Sequence, residues 1–167
     1  MNFKLRPWAI TDLESLVQCA NNFKIARFMT DQFPHPYQPE NGRAFIEFAT
    51  KADPPNIMAI EIEGRASGGI GLHPQHDVYR KNAEMGYWLA EPYWGKGIIT
   101  AAIIEMVEYG FRNFEINRIF ARPFGSNLAS QRVLQKANFI LEAKFEKSIF
   151  KNGKFDDELI FAVRKNS

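Results

Sequence analysis

Cysteine is almost missing from this chain: Cys19 is the only one in 167 residues. An internal disulfide framework is thereby excluded, and a reducing, cytoplasmic setting is expected. Cys19 falls in a helical pattern beside Leu16, Val17 and Ala20, where burial as a small apolar residue accounts for it better than a nucleophile's role. Long hydrophobic runs are missing as well. No stretch reaches the roughly 18 apolar residues of a membrane span. The opening residues MNFKLRPW lack the apolar segment of a signal peptide, so no membrane partner is expected. Charge of one sign is scarce too: a net +2 is too small a bias for a nucleic-acid binder. No internal repeat or low-complexity run occurs. The Pro-rich stretches FPHPYQP (33–39) and DPP (53–55) are too short to join domains, so one domain over 1–167 is expected.

What the chain does have is core-forming material. Apolar residues make up 46% of it, aromatics 14%, and phenylalanine alone occurs fifteen times. Alternation predicts strands at 2–6, 56–63, 66–73, 82–90 and 116–123. Helices are predicted over 12–20, behind a T-D-L-E capping box at Thr11 and Glu14, and over 39–50, 96–113 and 127–137. Strands at 139–150 and 154–163 meet at Asn152-Gly153, a strong two-residue hairpin signal. The order βααβββαβαββ predicts an α/β (α+β) fold: a mixed central sheet of about seven strands with about four helices on both faces.

One stretch asks for a ligand. In PYWGKGIITAA (92–102), two glycines bracket a lysine where a helix begins. A helix N-terminus carries unpaired N–H groups and partial positive charge, and glycines let a ligand come close to that backbone. Such a loop can cradle phosphate, or it can be a plain helix start with flexible turn residues. It is neither G-x-x-x-x-G-K-[ST] nor G-x-G-x-x-G, since Thr100 stands at the third glycine.

Three blocks in order resemble one family. AEMGYWLAEPYWGKG (83–97) is similar to the E-x-G-Y-W strand and P-x-Y-W-G-K-G loop of the ribosomal-protein branch (RimJ/RimL-like) of the GNAT N-acetyltransferases. NLASQRVLQKANF (127–139) is close to that branch's N-x-A-S-x-R-V-L-x-K-x-G-F helix, and NGKFDDELIFAV (152–163) to its last hairpin. The resemblance covers about residues 3–164. It implies acetyl-CoA as cosubstrate, no metal, and an amine acceptor, with a protein N-terminus as the leading candidate and small amines open. Monomer and homodimer both remain open. By the same resemblance, Trp94, Gly95, Lys96, Gly97, Ile98, Ile99 and Thr100 would hold the pyrophosphate. The backbones of Leu89 and Ala90, with the amide of Asn127, would meet the pantetheine arm.

Acyl transfer from a thioester needs a base to unmask the amine and is helped by a donor to the departing thiolate. Glu84 lies on the strand leading into the glycine loop, sharing a face with Gly86 and Trp88. A carboxylate there is costly without a partner or task; it resembles the family's general-base position, and a structural ion pair is the alternative. Leu134 stands where many members carry a tyrosine acid; Ser130, one turn beyond Asn127, resembles the branch's residue near the sulfur and is the best remaining donor to it, a plain surface serine being the alternative. Ile99 departs from the family's Gly or Ala and is expected to point into the core. Asn138 replaces a glycine but tolerates a left-handed helix end.

Phe33, His35 and Tyr37 are candidate acceptor contacts, a packed loop being the alternative. Asp156 and Asp157 would either attract a cation or simply face solvent. His73 and His76 in HPQHD are not expected to share a face as a metal pair. Two other functions remain open: a non-catalytic acyl-CoA sensor, and a nucleotide-phosphate binder that would prefer ATP or GTP to CoA.

Overall fold

The structure is a computed structural model that describes residues 2–165. Its strands are β1 (Phe3–Pro7), β2 (Ile57–Ile62), β3 (Arg65–Pro74), β4 (Asn82–Leu89), β5 (Arg118–Ala121), β6 (Ile140–Lys151) and β7 (Lys154–Arg164). They form one seven-stranded sheet in the order β1-β2-β3-β4-β5-β7-β6. The helices are α1 (Leu13–Ala20), α2 (Phe23–Ala26), α3 (Pro39–Ala49), α4 (Ile98–Asn113) and α5 (Leu128–Lys136). The expected order is met, with α2 added. At four residues it is a single turn, too short to show a helical period in sequence. Among the described residues, no helix is long and apolar enough to cross a membrane.

The chain divides into two compact units, Met1–Gly71 with Tyr87–Ala102, and Leu72–Gly86 with Ile103–Ser167. In the first, β1 and β2 pair antiparallel with Leu5 opposite Ile60. β2 returns into β3 through Glu63-Gly64, both in the left-handed region (φ 52° and 78°), as a tight hairpin turn requires. Its core joins Leu16 and Ala20 of α1, Ile46 and Ala49 of α3, and Ala59 of β2 to Trp8 and Trp88. Trp8 meets Phe45 edge-on at 5.3 Å. A side chain at Gly69 would fall 2.8 Å from the Trp88 indole nitrogen, so glycine there makes room for the ring.

The start of α1 differs from the expected Thr11–Glu14 box. Residues 10–12 form a 3₁₀ turn and the helix begins at Leu13. Asp12 precedes α1 without a side-chain cap bond to it, and its carboxylate instead closes the 3₁₀ turn by accepting from the Ala9 N–H at 2.9 Å. Arg6 on β1 donates to both Asp12 oxygens at 2.7 and 2.8 Å and also bridges to Glu61. The guanidinium fork on this buried carboxylate fixes the turn, so α1 starts two residues after Thr11.

In the second unit, β4 and β5 are parallel over Asn82–Glu84 and Arg118–Phe120. β5 pairs antiparallel with β7, and β7 with β6. The β6–β7 turn is Asn152-Gly153 with φ 52° and 74°, as the dipeptide predicts. Helix α4 buries Ile103, Met106 and Gly110. A Cβ at Gly110 would lie 2.5 Å from Leu72 Cδ1, so its absence permits the close helix-to-strand approach. Helix α5 ends at Asn138 with φ 64°. Phe139 N–H reaches Leu134 O at 3.0 Å and Asn138 N–H reaches Gln135 O at 3.1 Å, the paired bonds of a Schellman cap. The left-handed Asn138 expected from sequence is thus present, and buried Phe139 seals it.

Candidate functional site

The glycine loop is built in the first unit. After β4, residues 91–93 make a 3₁₀ turn, with Tyr93 N–H bonded to Ala90 O and Trp94 N–H to Glu91 O. The Trp94 indole N–H reaches back to Leu89 O at 2.7 Å and closes the turn. Gly95 and Gly97 follow at φ 72° and 77°. A Cβ at either would meet nothing within 4 Å, so the backbone angle, not crowding, demands glycine. Ala101 N–H bonds Gly97 O at 3.1 Å, and α4 begins. The N–H groups of Ile98, Ile99 and Thr100 therefore lack a partner in the preceding turn. Exposed residues 94–97 lead into them, and Lys96 Nζ lies 5.5 Å from the Tyr93 ring centroid. Unpaired N–H groups at a helix start, reached through glycines, are the geometry that an anion can use.

Two expectations for this segment need correction. Ile98 is the core residue, 3% exposed, while Ile99 is half-buried. The buried stripe of α4 runs through Ile98, Ala102 and Met106 at four-residue steps, and Ile99 sits at its margin. At the end of β4, the Ala90 N–H is already committed to Ser67 O at 2.8 Å, and Leu89 O to Trp94. Ala90 N–H is therefore not open to a pantetheine carbonyl.

Glu91 anchors the loop from outside. Its carboxylate takes Asn22 Nδ2 at 2.9 Å and an ion pair from Lys24. The Asn22 oxygen meanwhile caps α2 by accepting from Lys24 N–H at 2.9 Å. The Lys24 and Asn22 hydrogen bonds hold the Glu91 carboxyl below its usual range. The stretch after α2 carries the aromatic candidates. Phe33 lies 6.1 Å from Trp88 and 5.2 Å from Tyr37, ring to ring. His35 is exposed and tilts against Phe23 at 5.7 Å. Tyr37 is a core residue, 5% exposed, and burial pushes its hydroxyl up to about 12. Its N–H donates to Asn21 Oδ1 at 3.0 Å. The apolar pull of the Trp8–Trp88 core takes Tyr37 out of the set of acceptor contacts.

The second unit carries the chemical candidates. Glu84 is half-exposed on β4, 3.8 Å from Arg122 Nη1. Arg122 also grips Glu158, with its Nε at 2.8 Å and its Nη2 at 2.7 Å from one carboxylate oxygen. Burial would lower the Arg122 pKa, but the Glu158 hydrogen bond and the Glu84 charge raise it on balance. The ion-paired Glu84 allowed for in the sequence is thus present, and it leaves the carboxylate within reach of solvent.

Asn127 is the cap of α5: its Oδ1 accepts from Ser130 N–H at 3.1 Å. The cap uses only the oxygen of the amide, so the Nδ2 donors remain for another group. Ser130 is half-buried on the first turn of α5. Leu134 is fully buried at 0% exposure, so that position feeds the core and offers no acid. Asp156 is tied to Ser126 through both its N–H and its hydroxyl. Asp157 binds Lys147 N–H at 2.9 Å and Lys144 at 3.1 Å. Asp156 holds the loop before α5 and Asp157 the bulged stretch of β6, both half-exposed on the solvent-facing side that one of the two expectations gave them. Sequence reasoning missed Arg122, Glu158 and Glu91. A faint signal existed for Arg122, which keeps the alternation of β5 beyond Phe120.

With this geometry in view, the chain was compared with known proteins. The profile of the acetyltransferase (GNAT) domain matches residues 2–140. A putative ribosomal N-acetyltransferase, YdaF of Bacillus subtilis, is 36% identical over 103 residues; the match spans 62% of this chain and 56% of that protein. The spermidine N(1)-acetyltransferase of Escherichia coli K12 is 26% identical over 166 residues, covering 96% of this chain and 84% of that one. Among solved structures, RimL, a ribosomal L7/L12 α-N-protein acetyltransferase in complex with coenzyme A, superposes with a TM-score of 0.85 at 20% identity, covering 98% and 94% of the two chains. That last likeness is one of fold.

Proposed function

We propose that this chain, which belongs to the GNAT acetyltransferase family, transfers an acetyl group from acetyl-CoA to a primary amine by direct attack in a ternary complex. The observation that carries the reading is the pair of left-handed glycines, Gly95 and Gly97, opening α4 into free space. Backbone N–H groups at a helix start, with Lys96 beside them, suit a pyrophosphate. The Asn127 Nδ2 and the backbone of Leu89 are assigned to the pantetheine arm. Glu84 is the proton acceptor, directly or through one water, and Ser130 donates to the departing thiolate. A carrier cysteine is not part of the reading: Cys19 is half-buried, and burial raises its thiol pKa against the opposing charge of Arg65. Such a thiol is a poor nucleophile.

A protein N-terminal amine is the leading acceptor, supported by the name of the Bacillus relative. A polyamine is the second reading, supported by the spermidine enzyme's similarity over 96% of this chain. Phe33 and His35 are the acceptor contacts under either. The test is acetyl-CoA binding by calorimetry, followed by acetyl transfer to a panel of peptides and polyamines. Glu84→Gln should lower kcat by ~10²–10⁴-fold near pH 7 with acetyl-CoA affinity nearly intact. The deficit should shrink as pH rises and more amine is already neutral. Ser130→Ala should cost less, since a thiolate departs tolerably unaided. Tight acetyl-CoA binding without turnover on any amine would make the protein a sensor and end the enzymatic reading.

A further inference from the structure

Glu84 has a neighbour that the reaction above does not use. On the far side of the β3–β4 loop, Gln75 N–H bonds Asn82 O at 2.9 Å. Two steps back along β3 and two forward along β4 bring His73 opposite Glu84. Directly opposed residues of an antiparallel pair share a face, their Cβ atoms roughly 4.5–5.5 Å apart. The imidazole agrees with that register. Its Nε2 lies 3.9 Å from where a Cβ at Gly86 would stand, and Gly86 is the next residue along on the face of Glu84. A Cβ there would be in ordinary van der Waals contact with the ring, which places the imidazole over that face.

The charged groups around this spot come from four segments. They are His73 on β3, Glu84 on β4, Arg122 just beyond β5, and Glu158 on β7. Phe120 is the register partner of Glu84 on β5. Crowding by protein lowers the His73 pKa and the Glu84 charge partly restores it. His73 as a residue is exposed, which limits how far burial can act. Burial thus favours the uncharged ring, which shares a face with Glu84 and is open to solvent.

We propose that His73 is a proton-relay residue of the site, acting through Glu84: it takes the proton that Glu84 removes from the acceptor ammonium and passes it to solvent. The proposal rests on the acetyltransferase reading. In the first step, an N–H bond of the ammonium breaks and an O–H bond forms on Glu84, while the electron pair stays on nitrogen for attack on the thioester carbonyl. In the second, Glu84 gives its proton to a bridging water as that water gives one of its own to the imidazole, so an O–H bond breaks on the carboxyl and one on the water while an O–H bond and an N–H bond form. The imidazolium then gives its proton to water or buffer. Arg122 beside Glu84 favours return of the free carboxylate, which draws the relay forward.

The experiment compares wild type, His73→Ala and His73→Asn with acetyl-CoA and the best amine of the panel, across pH and buffer concentration. The expected result for His73→Ala is a kcat on the order of tenfold lower at low buffer near pH 7, milder than loss of the base itself. The KM for acetyl-CoA should stay within about twofold, because the relay touches no part of the cradle. Added imidazole should restore the rate, and the acid limb of the pH profile should lose an ionisation. His73→Asn, which keeps a polar side chain but cannot carry the proton, should behave like the alanine variant. Wild-type kcat at every pH and buffer concentration would overturn the relay, as would a loss in folded variants that imidazole leaves unchanged. A wild type that acetylates no amine overturns the acetyltransferase reading as well; an active wild type indifferent to His73 overturns the relay alone.

Discussion

Replacing Gly97 by alanine separates backbone conformation from crowding as the reason for glycine in the loop. The new Cβ meets nothing within 4 Å, so no clash term enters. The remaining cost is that of holding an L-residue at φ 77°, roughly 1–2 kcal/mol. Residues 95–97 are exposed, so the loop can also relax away from that angle. Relaxation trades stability for misplaced N–H groups at the start of α4. Denaturant unfolding should show a loss of at most about 2 kcal/mol. Acetyl-CoA affinity by calorimetry should fall by roughly tenfold for each 1.4 kcal/mol that reappears as misalignment. Gly97→Asn should retain more of both, because asparagine visits the left-handed region more readily. Gly110→Ala is the contrast: its Cβ would lie 2.5 Å from Leu72 Cδ1 and 3.2 Å from Ile119 Cδ1, so overpacking should cost roughly 1–3 kcal/mol without touching the cradle directly. If Gly97→Ala and Gly97→Asn both match wild type in stability and affinity, the conformational argument is wrong.

Further outcomes follow from single contacts. Ile98→Ala should cost roughly 2–5 kcal/mol in urea unfolding, because the residue is buried, and Ile99→Ala clearly less. Asp12→Ala should cost roughly 1–3 kcal/mol by leaving the Ala9 N–H unpaired and Arg6 with Glu61 alone. Burial alone would raise the Asp12 carboxyl, but the Arg6 and Ala9 hydrogen bonds more than reverse it and hold it low. Its stabilisation is therefore complete above the usual carboxylate range, near pH 4, and is lost as pH falls below it. The variant's acid-unfolding curve should be shallower than wild type's. Asn138→Ala should destabilise by roughly 1 kcal/mol at its left-handed angle, while Asn138→Gly should be neutral or better, as thermal unfolding would show.

Much of the fold was legible because its signals are short-range. The strand alternation, the Asn152-Gly153 hairpin, the Asn138 helix end and the glycine-bracketed start of α4 each depend on a few neighbouring residues. Where two local choices competed, the sequence misled. Thr11 and Glu14 make a good capping box on paper, yet Arg6 from a separate strand recruits Asp12 instead. Ile99 lies on the apolar side of α4 in sequence, yet Ile98 aligns with Ala102 and Met106 and takes the core position.

The sequence by itself determined the element order, the turn chemistry and the loop with two glycines, since backbone sterics and helix-end electrostatics are written into consecutive residues. Only the tertiary structure decided which groups surround the reactive candidates. Strand register put Arg122 and Glu158 beside Glu84 and His73 across from it, and Glu91 under Asn22 and Lys24. It committed Ala90 N–H to Ser67, buried Tyr37 and Leu134, and set Asp156 against the loop before α5 and Asp157 against the bulge of β6. These partners are far apart along the chain, and the free energy that brings them together belongs to the packed sheet and core. No local pattern carries it.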